Sequence, residues 1–554
     1  MPKLKTHFVA TACLALAGGA IFATDASASS SDIYGAGSSL VAPYARQAGD
    51  CYAEPTQLIF KGTPPSFVSV APFNYVNPPH SQDCSTTHVK TDRTIHYIST
   101  GSGTGIAGIF SHDPTKYGFV DAGQTQYFPE VHFGMSDAGL STTDVGIYNG
   151  GGVEQGVTVV APGVTPGAGQ YGNPKELYGP LVQFPISIDP VAVAYDPVYK
   201  KVYTGGTPTT YKFNIHVPRA DGSGGLHLDA ATYCKIFNGQ ITNWNDPALK
   251  ALNGHTSLED PADPTPTASW SVPLQIVGRS DSSGTTSIFT RHLANVCAAL
   301  SGNAFADGAT TLPSGLAGGV YDKTQVNNAA PGETLGKFTE ANGSDGVAKY
   351  VAFTTDPDST TTTITQGRLG YLGPDFALPA VLNTAANTYG LNTASLKNAS
   401  GQFEAPTAGT AQKAFATIAP PQSDASGHYD NTQPGDRTAP DSWVQPVSKT
   451  SPLANPTTSG SYPMMGTTNF LGYTCYKNAG QLSSVNGFIT WYFGQQINTD
   501  SVNGILAKAG LAPVPMAWRT AIKETFTNNS QSLGLNFAKV GTAGACSVAG
   551  VTGG

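Results

Sequence analysis

Charge is scarce in this sequence. Only 12% of its 554 residues are Asp, Glu, Lys or Arg, and the formal net charge is −8, whereas about a quarter of an average globular protein is charged. A nucleic-acid surface needs a basic excess, so that class of partner is excluded. Beyond Ala23 no stretch reaches the ~20 apolar residues that a membrane helix needs. C-x-x-C spacing is absent and no histidine pair stands at ligand spacing beside a cysteine, so no metal site is expected. Around Ser282 and Ser283 there is no G-x-S-x-G, and no histidine stands where it would serve a serine nucleophile. His292, one to two helical turns further on, reads as a surface or partly packed residue.

What is present begins with an export leader. Lys3 and Lys5 precede the apolar run Phe8 to Ala23, and Ala26-Ser27-Ala28 has the small-x-small pattern of a cleavage site. The mature chain is expected to start near Ser29, in the periplasm or the medium. Cys13 follows Ala10-Thr11-Ala12 and suggests a lipoprotein box, but apolar sequence continues past it and the later site is better placed. The other six cysteines would then meet an oxidising compartment and favour disulfides. They fall into sequence-near couples, which predicts Cys51 with Cys84, Cys234 with Cys297, and Cys475 with Cys546.

Strand-like and helix-like segments alternate, as in an α/β architecture. Residues 94–99, 132–141, 191–196 and 274–279 read as strands. The apolar runs at 191–196 and 274–279 are of the kind buried in parallel sheets. Helices are clearest at Asp229 to Phe237, at Thr285 to Leu300, and at Pro515 to Phe526, where Trp518, Ile522 and Phe526 share a face. The stretches 149–180, 203–225, 300–345, 355–365 and 418–460 are rich in Gly, Pro and Thr. With little periodic apolar surface, they read as long surface insertions.

Four segments repeat one design, a strand, then Gly and hydroxyl residues, then a helix. They are Gly35-Ala36-Gly37-Ser38-Ser39-Leu40, Gly101-Ser102-Gly103-Thr104-Gly105, Ser136-Asp137-Ala138-Gly139, and Arg279-Ser280-Asp281-Ser282-Ser283-Gly284-Thr285. Each can turn backbone N–H groups and hydroxyls toward an anion at a helix start. Taken singly, each is an ordinary capped helix start. The second also holds Gly103-x-Gly105-x-x-Gly108, a dinucleotide fingerprint by spacing, but no clear ribose-binding acid follows it and no cofactor is expected.

Taken in order along the chain, these segments resemble the phosphate-binding protein of the phosphate ABC transporter, together with its secreted DING-type relatives. Further matching stretches are residues 236–246, 367–372 and 467–473, and the "GLAPVP" that leads into the last helix. The resemblance implies a two-lobed α/β fold of the periplasmic-binding-protein type (type II) with long loop insertions. Its first lobe would be discontinuous (29–181 and 460–554, after a 1–28 leader) and its second would span 182–459. It implies a non-enzymatic monomer whose ligand is inorganic phosphate, with a phosphate ABC permease as one further partner. The rival reading is a secreted phosphomonoesterase of the DING type.

The resemblance assigns ligand contact to Ser39, the backbone at Leu40, Ser102, Asp137, Arg279, Ser283, Gly284 and Thr285. Relatives commonly carry Thr and Phe at the first two positions; Ser39 keeps the hydroxyl and Leu40 the main-chain N–H. Phosphate keeps a proton near neutral pH and sulfate has none, so Asp137 would accept that proton and face sulfate unpaired. Arg279 would grip the oxyanion bidentately, supported by Asp281.

Overall fold

Two five-stranded sheets organise the chain. The computed structural model describes residues 31–55, 57–60, 66–69, 89–117, 119–121, 124–126, 128–201, 209–216, 224–254, 257–263, 272–298, 305–311, 338–352, 367–377, 389–422, 436–494, 505–530 and 532–541. The expected leader, Cys84 and Cys546 lie outside the described residues. In chain order the sheet strands are β1 (Ile33–Gly37), β2 (Ile95–Ser99), β3 (Phe133–Ser136), β4 (Leu181–Pro190), β5 (Ala192–Tyr195), β6 (Leu274–Arg279), β7 (Phe338–Ala341), β8 (Gly367–Leu372), β9 (Asn392–Thr393) and β10 (Met465–Tyr473). Five helices matter for the site: α1 (Ala42–Tyr52), α2 (Ser102–Ser111), α3 (Gly284–Val296), α4 (Gly343–Val351) and α5 (Ala479–Gly494).

The first sheet runs β4-β10-β3-β1-β2 and the second β7-β6-β8-β5-β9. In the first, β1 pairs in parallel with both β2 and β3; in the second, β6 pairs in parallel with both β7 and β8. Each sheet therefore contains a parallel trio whose first strand in chain order lies in the middle. Successive right-handed crossovers must leave that strand in opposite directions, which opens a crevice at the carboxyl ends of the strands. The chain passes from the first sheet to the second at Val191, between β4 and β5, and returns with β10. This is the two-lobed periplasmic-binding-protein architecture.

The strands at 94–99, 133–136 and 274–279 form where their apolar runs suggest. Ala192 to Tyr195 is also fully buried, but it pairs antiparallel with both β8 and β9. Its continuous apolar run reflects burial on both faces, which does not depend on strand direction.

Four of the expected insertions contribute structure. In the 203–225 stretch the strand Thr209–Lys212 pairs antiparallel with Val198–Lys201 and buries Tyr211. Residues 338–341 are strand β7, in register with β6 from Ile276 to Arg279. The 149–180 stretch folds into a small three-stranded sheet with Val157 and Val159 buried. In the 418–460 stretch Trp443 is fully buried, its ring 4.8 Å from Phe526 and 6.3 Å from Trp518. One large aromatic suffices to anchor a segment that has no periodic pattern, because it buries so much area.

Cys234 and Cys297 are joined, with Cα atoms 5.5 Å apart, tying the helix Ala230–Phe237 to the far end of α3. Cys51 and Cys475 each take part in a disulfide as well. Among the described residues no helix is long and apolar enough to cross a membrane.

Candidate functional site

All four Gly and hydroxyl segments follow the carboxyl end of a sheet strand. Ser38 to Leu40 leave β1, Ser102 opens α2 after β2, Asp137 follows β3, and Arg279 ends β6. The G-x-G-x-x-G within α2 is used for packing. A Cβ on Gly105 would stand 2.8 Å from the Met135 carbonyl, and one on Gly108 would enter the Tyr117 ring at 2.0 Å. These glycines let α2 lie close on the first sheet.

Side chains from both lobes meet in a network of hydrogen bonds across the cleft. Arg279, 1% exposed, donates from Nε and Nη2 to the two Asp281 oxygens at 2.7 and 2.6 Å. Its Nη1 donates to Thr285 Oγ1 at 3.3 Å, and Thr285 Oγ1 donates across the cleft to Asp137 Oδ2 at 3.1 Å. The Asp137 N–H donates to Ser102 Oγ at 3.2 Å. On the other side Asp281 Oδ1 accepts from the Gly343 N–H at 3.1 Å, and the Ser344 N–H at the start of α4 donates to Ser39 Oγ at 3.1 Å. Ser39 and Ser344 thus join the lobes a second time. A third link runs from the Gly103 N–H to the Ser282 carbonyl at 3.1 Å, beside the Ser282 hydroxyl, which donates to Gln155 Oε1 at 2.9 Å.

The remaining expected residues have definite places. Ser283 is the N-cap of α3, its Oγ accepting from the Thr286 N–H at 3.1 Å. The Leu40 N–H donates to Ser38 Oγ at 3.2 Å. Gly284 faces the opposite loops directly: a Cβ there would lie 2.6 Å from both Ala138 N and Ser102 Oγ, and 2.7 Å from Asp137 Cβ.

Burial and charge set the protonation states. Burial leaves the Asp137 carboxyl above its ordinary value, although the hydroxyls of Ser38, Thr468 and Thr285 and the charge of Arg279 pull it partly back. Burial acts upward on Asp281 too, but the charge and fork of Arg279 outweigh it and hold that carboxyl below the ordinary range. His292 is not a surface residue. Its Nε2 meets Tyr233 Oη at 2.8 Å, its Nδ1 meets the Ala454 carbonyl at 2.6 Å, and burial pushes it down to about 4.

The pattern of the PBP superfamily domain matches residues 23–496. The chain belongs to the PBP superfamily. A phosphate-binding protein from an unknown prokaryotic organism is 26% identical over 80% of this chain and 91% of its own. A protein named alkaline phosphatase L from Pseudomonas aeruginosa is 27% identical over 80% of this chain and 85% of its own. Among solved structures, a high affinity periplasmic phosphate-binding protein (PfluDING) bound with phosphate superposes with TM-score 0.52 at 22% identity. That match covers 91% of this chain and 96% of the other. At this identity the superposition establishes the fold of the superfamily member, and its site is read from its own residues.

Four residues in or against this network were not predicted as site residues: Ser38, Ser344, Thr468 and Asp189. Ser38 adjoins an assigned position, and its signal was the hydroxyl pair at 38 and 39. Ser344 lies in a stretch read as an insertion. Thr468 Oγ1 lies 2.7 Å from Asp137 Oδ1 and 2.6 Å from Asp189 Oδ2. The Thr-Thr of residues 467–473 was legible as a match, but its pairing with a carboxyl 279 residues away was not.

Proposed function

We propose that the protein captures inorganic phosphate reversibly between its lobes, with Ser39, the Leu40 backbone, Ser102, Asp137, Arg279, Ser283, Gly284 and Thr285 as ligand contacts and Asp281 holding Arg279. The observation that carries this reading is the juxtaposition of a buried, charge-balanced Arg279 with an Asp137 carboxylate that the opposite lobe supplies. Donors alone would take any tetrahedral oxyanion; one ionised carboxylate among them selects an anion that still owns a proton. Leaving such a carboxylate facing bare sulfate oxygens costs a factor of ~10⁴ or more. The name of the phosphate-binding relative agrees with this reading. Hinge motion at Val191 and in the return toward β10 would open and close the cleft. Function outside the cytoplasm follows from the expected leader, and delivery to a permease is the use we assign to it. Equilibrium titration with phosphate and with sulfate tests the proposal: tight phosphate binding with sulfate rejected is expected, and equal affinity for both overturns it.

A phosphomonoesterase is the second reading, carried by the relatives named alkaline phosphatase L. Ser283 is the hydroxyl such a reading would use. Its Oγ caps α3, and the one histidine of that helix is committed to Tyr233 and Ala454. Turnover of a chromogenic phosphomonoester that disappears in Ser283→Ala would favour the esterase.

A further inference from the structure

Behind Asp137 lies a second buried carboxyl that the capture reading does not use. Strands β4 and β10 pair antiparallel from Leu181 with Tyr473 to Pro190 with Met465, with one register shift between Pro185 and Ser187. Phe184 faces Phe470, so an unbroken strand would set Ile186 and Ile188 beside Thr468. The extra residue, Ile186, reverses the alternation, and Ser187 and Asp189 take that face instead. The bulge therefore delivers a carboxyl to the floor of the cleft. Pro185 beside it is tolerated because β4 is the sheet edge.

Thr468 then sits between two carboxyls, 2.7 Å from Asp137 and 2.6 Å from Asp189. A hydroxyl has one proton to donate, so two such contacts require that one carboxyl carries a proton and donates it. Asp137 already accepts from the Thr285 hydroxyl and faces Arg279. Asp189 has neither, and it is fully buried. We propose that Asp189 is a positioning residue that retains its proton, donates it to Thr468, and thereby commits the Thr468 hydroxyl to Asp137, holding Asp137 as the ionised acceptor of the phosphate site. This rests on the capture reading above.

The surroundings of Asp189 favour the protonated form. From β10 it faces Thr468, from the turn after β3 Asp137, and from its own strand Ser187. Asp375 in the turn Pro374–Phe376 and Tyr492 of α5 also feel it. The cations act on Asp137 rather than on Asp189: Arg279 through Thr285, and Arg291 of α3, whose Nη2 is given to the Met465 carbonyl at 2.7 Å. Burial and the neighbouring Asp137 push the Asp189 carboxyl up to about 7. Above that pH a second negative charge appears beside the anion, so capture weakens.

The test compares wild type with Asp189→Asn, which keeps a donor toward Thr468 and cannot ionise. Phosphate dissociation constants are measured for both from pH 5.5 to 9, so that phosphate's own titration cancels in their ratio. The ratio of wild type to variant is expected to be flat below about pH 7 and to rise by up to about tenfold per pH unit above it, the limit for one linked proton. Thr468→Ser should keep the wild-type profile and Thr468→Val should lose it. A flat ratio throughout, or a Thr468→Val profile like wild type, overturns the proposal. Infrared difference spectra of the ligand-free proteins form an independent arm. Below pH 7 a protonated-carboxyl band present in wild type and missing in Asp189→Asn is expected, and identical spectra overturn the assignment. If wild type bound no phosphate at any pH, the capture reading would fail while the infrared arm still decided where the proton sits.

Discussion

Gly284→Ala adds a single methyl group at the point where the lobes touch. The new Cβ would lie 2.6 Å from a backbone nitrogen and a hydroxyl oxygen and 2.7 Å from Asp137 Cβ, all on the opposite lobe, where ordinary contact begins at 3.4 Å. Neither Ala138 N nor Asp137 Cβ is the end of a flexible side chain, so relief must come from the lobes parting by about 0.8 Å. That movement carries the 3.1 Å bond from Thr285 to Asp137 beyond hydrogen-bond range. Overpacking of this size costs about 1–3 kcal/mol, which is about 5- to 150-fold in phosphate affinity. Isothermal titration with phosphate reads the effect directly. Gly146→Ala is the control, since nothing lies within 4 Å of a Cβ there, and it should bind like wild type. The unfolding midpoint of Gly284→Ala should move little, because an open cleft accommodates the methyl. A phosphate dissociation constant within twofold of wild type would show that the closed geometry is not the binding geometry.

Other consequences follow from the same contacts. Asp281→Asn leaves Arg279 buried without its counter-charge and should cost about 3–5 kcal/mol of stability in a urea titration; a loss below 1 kcal/mol would contradict the role given to the fork. Replacing Cys234 and Cys297 with serine opens a cross-link of sequence separation 63 and should lower stability by about 4 kcal/mol with phosphate affinity unchanged, and a loss of affinity would count against the placement of that bond away from the site. Asp189 binds its proton more tightly folded than unfolded, so its contribution falls as pH rises from the unfolded carboxyl value, ~3.9, through the folded value of about 7. The stability difference between wild type and Asp189→Asn should therefore slope across that window and be level above it, as thermal melts at several pH values would show.

Much of this site could be read along the chain because its parts are local. Arg279 to Thr285 place a fork, its counter-charge and a helix cap within seven consecutive residues, and each has a requirement visible in residue type and spacing. The strands that end at Ser99, Ser136 and Arg279 were legible because both their faces are buried and nearly every position is apolar or small. What was not legible depends on pairing between distant strands. The bulge at Ile186 turns an apparently apolar stretch into one that offers Ser187 and Asp189 to the cleft, and only the register with β10 reveals it. Ser344 was hidden for a related reason: β7 is short and follows a Gly-rich stretch, so its place beside β6 had no periodic signature. His292 was misjudged because a polar residue on a helix is usually exposed, and its two buried partners, Tyr233 and the Ala454 carbonyl, come from remote segments.

Under the capture proposal, Asp137 makes the cleft choose a protonated oxyanion. The most direct test is the ratio of sulfate to phosphate dissociation constants at neutral pH, measured by titration for wild type and for Asp137→Asn. A large ratio is expected in wild type, on the order of 10⁴, that collapses in the variant through weaker phosphate binding and gained sulfate binding. An unchanged ratio in Asp137→Asn would contradict it.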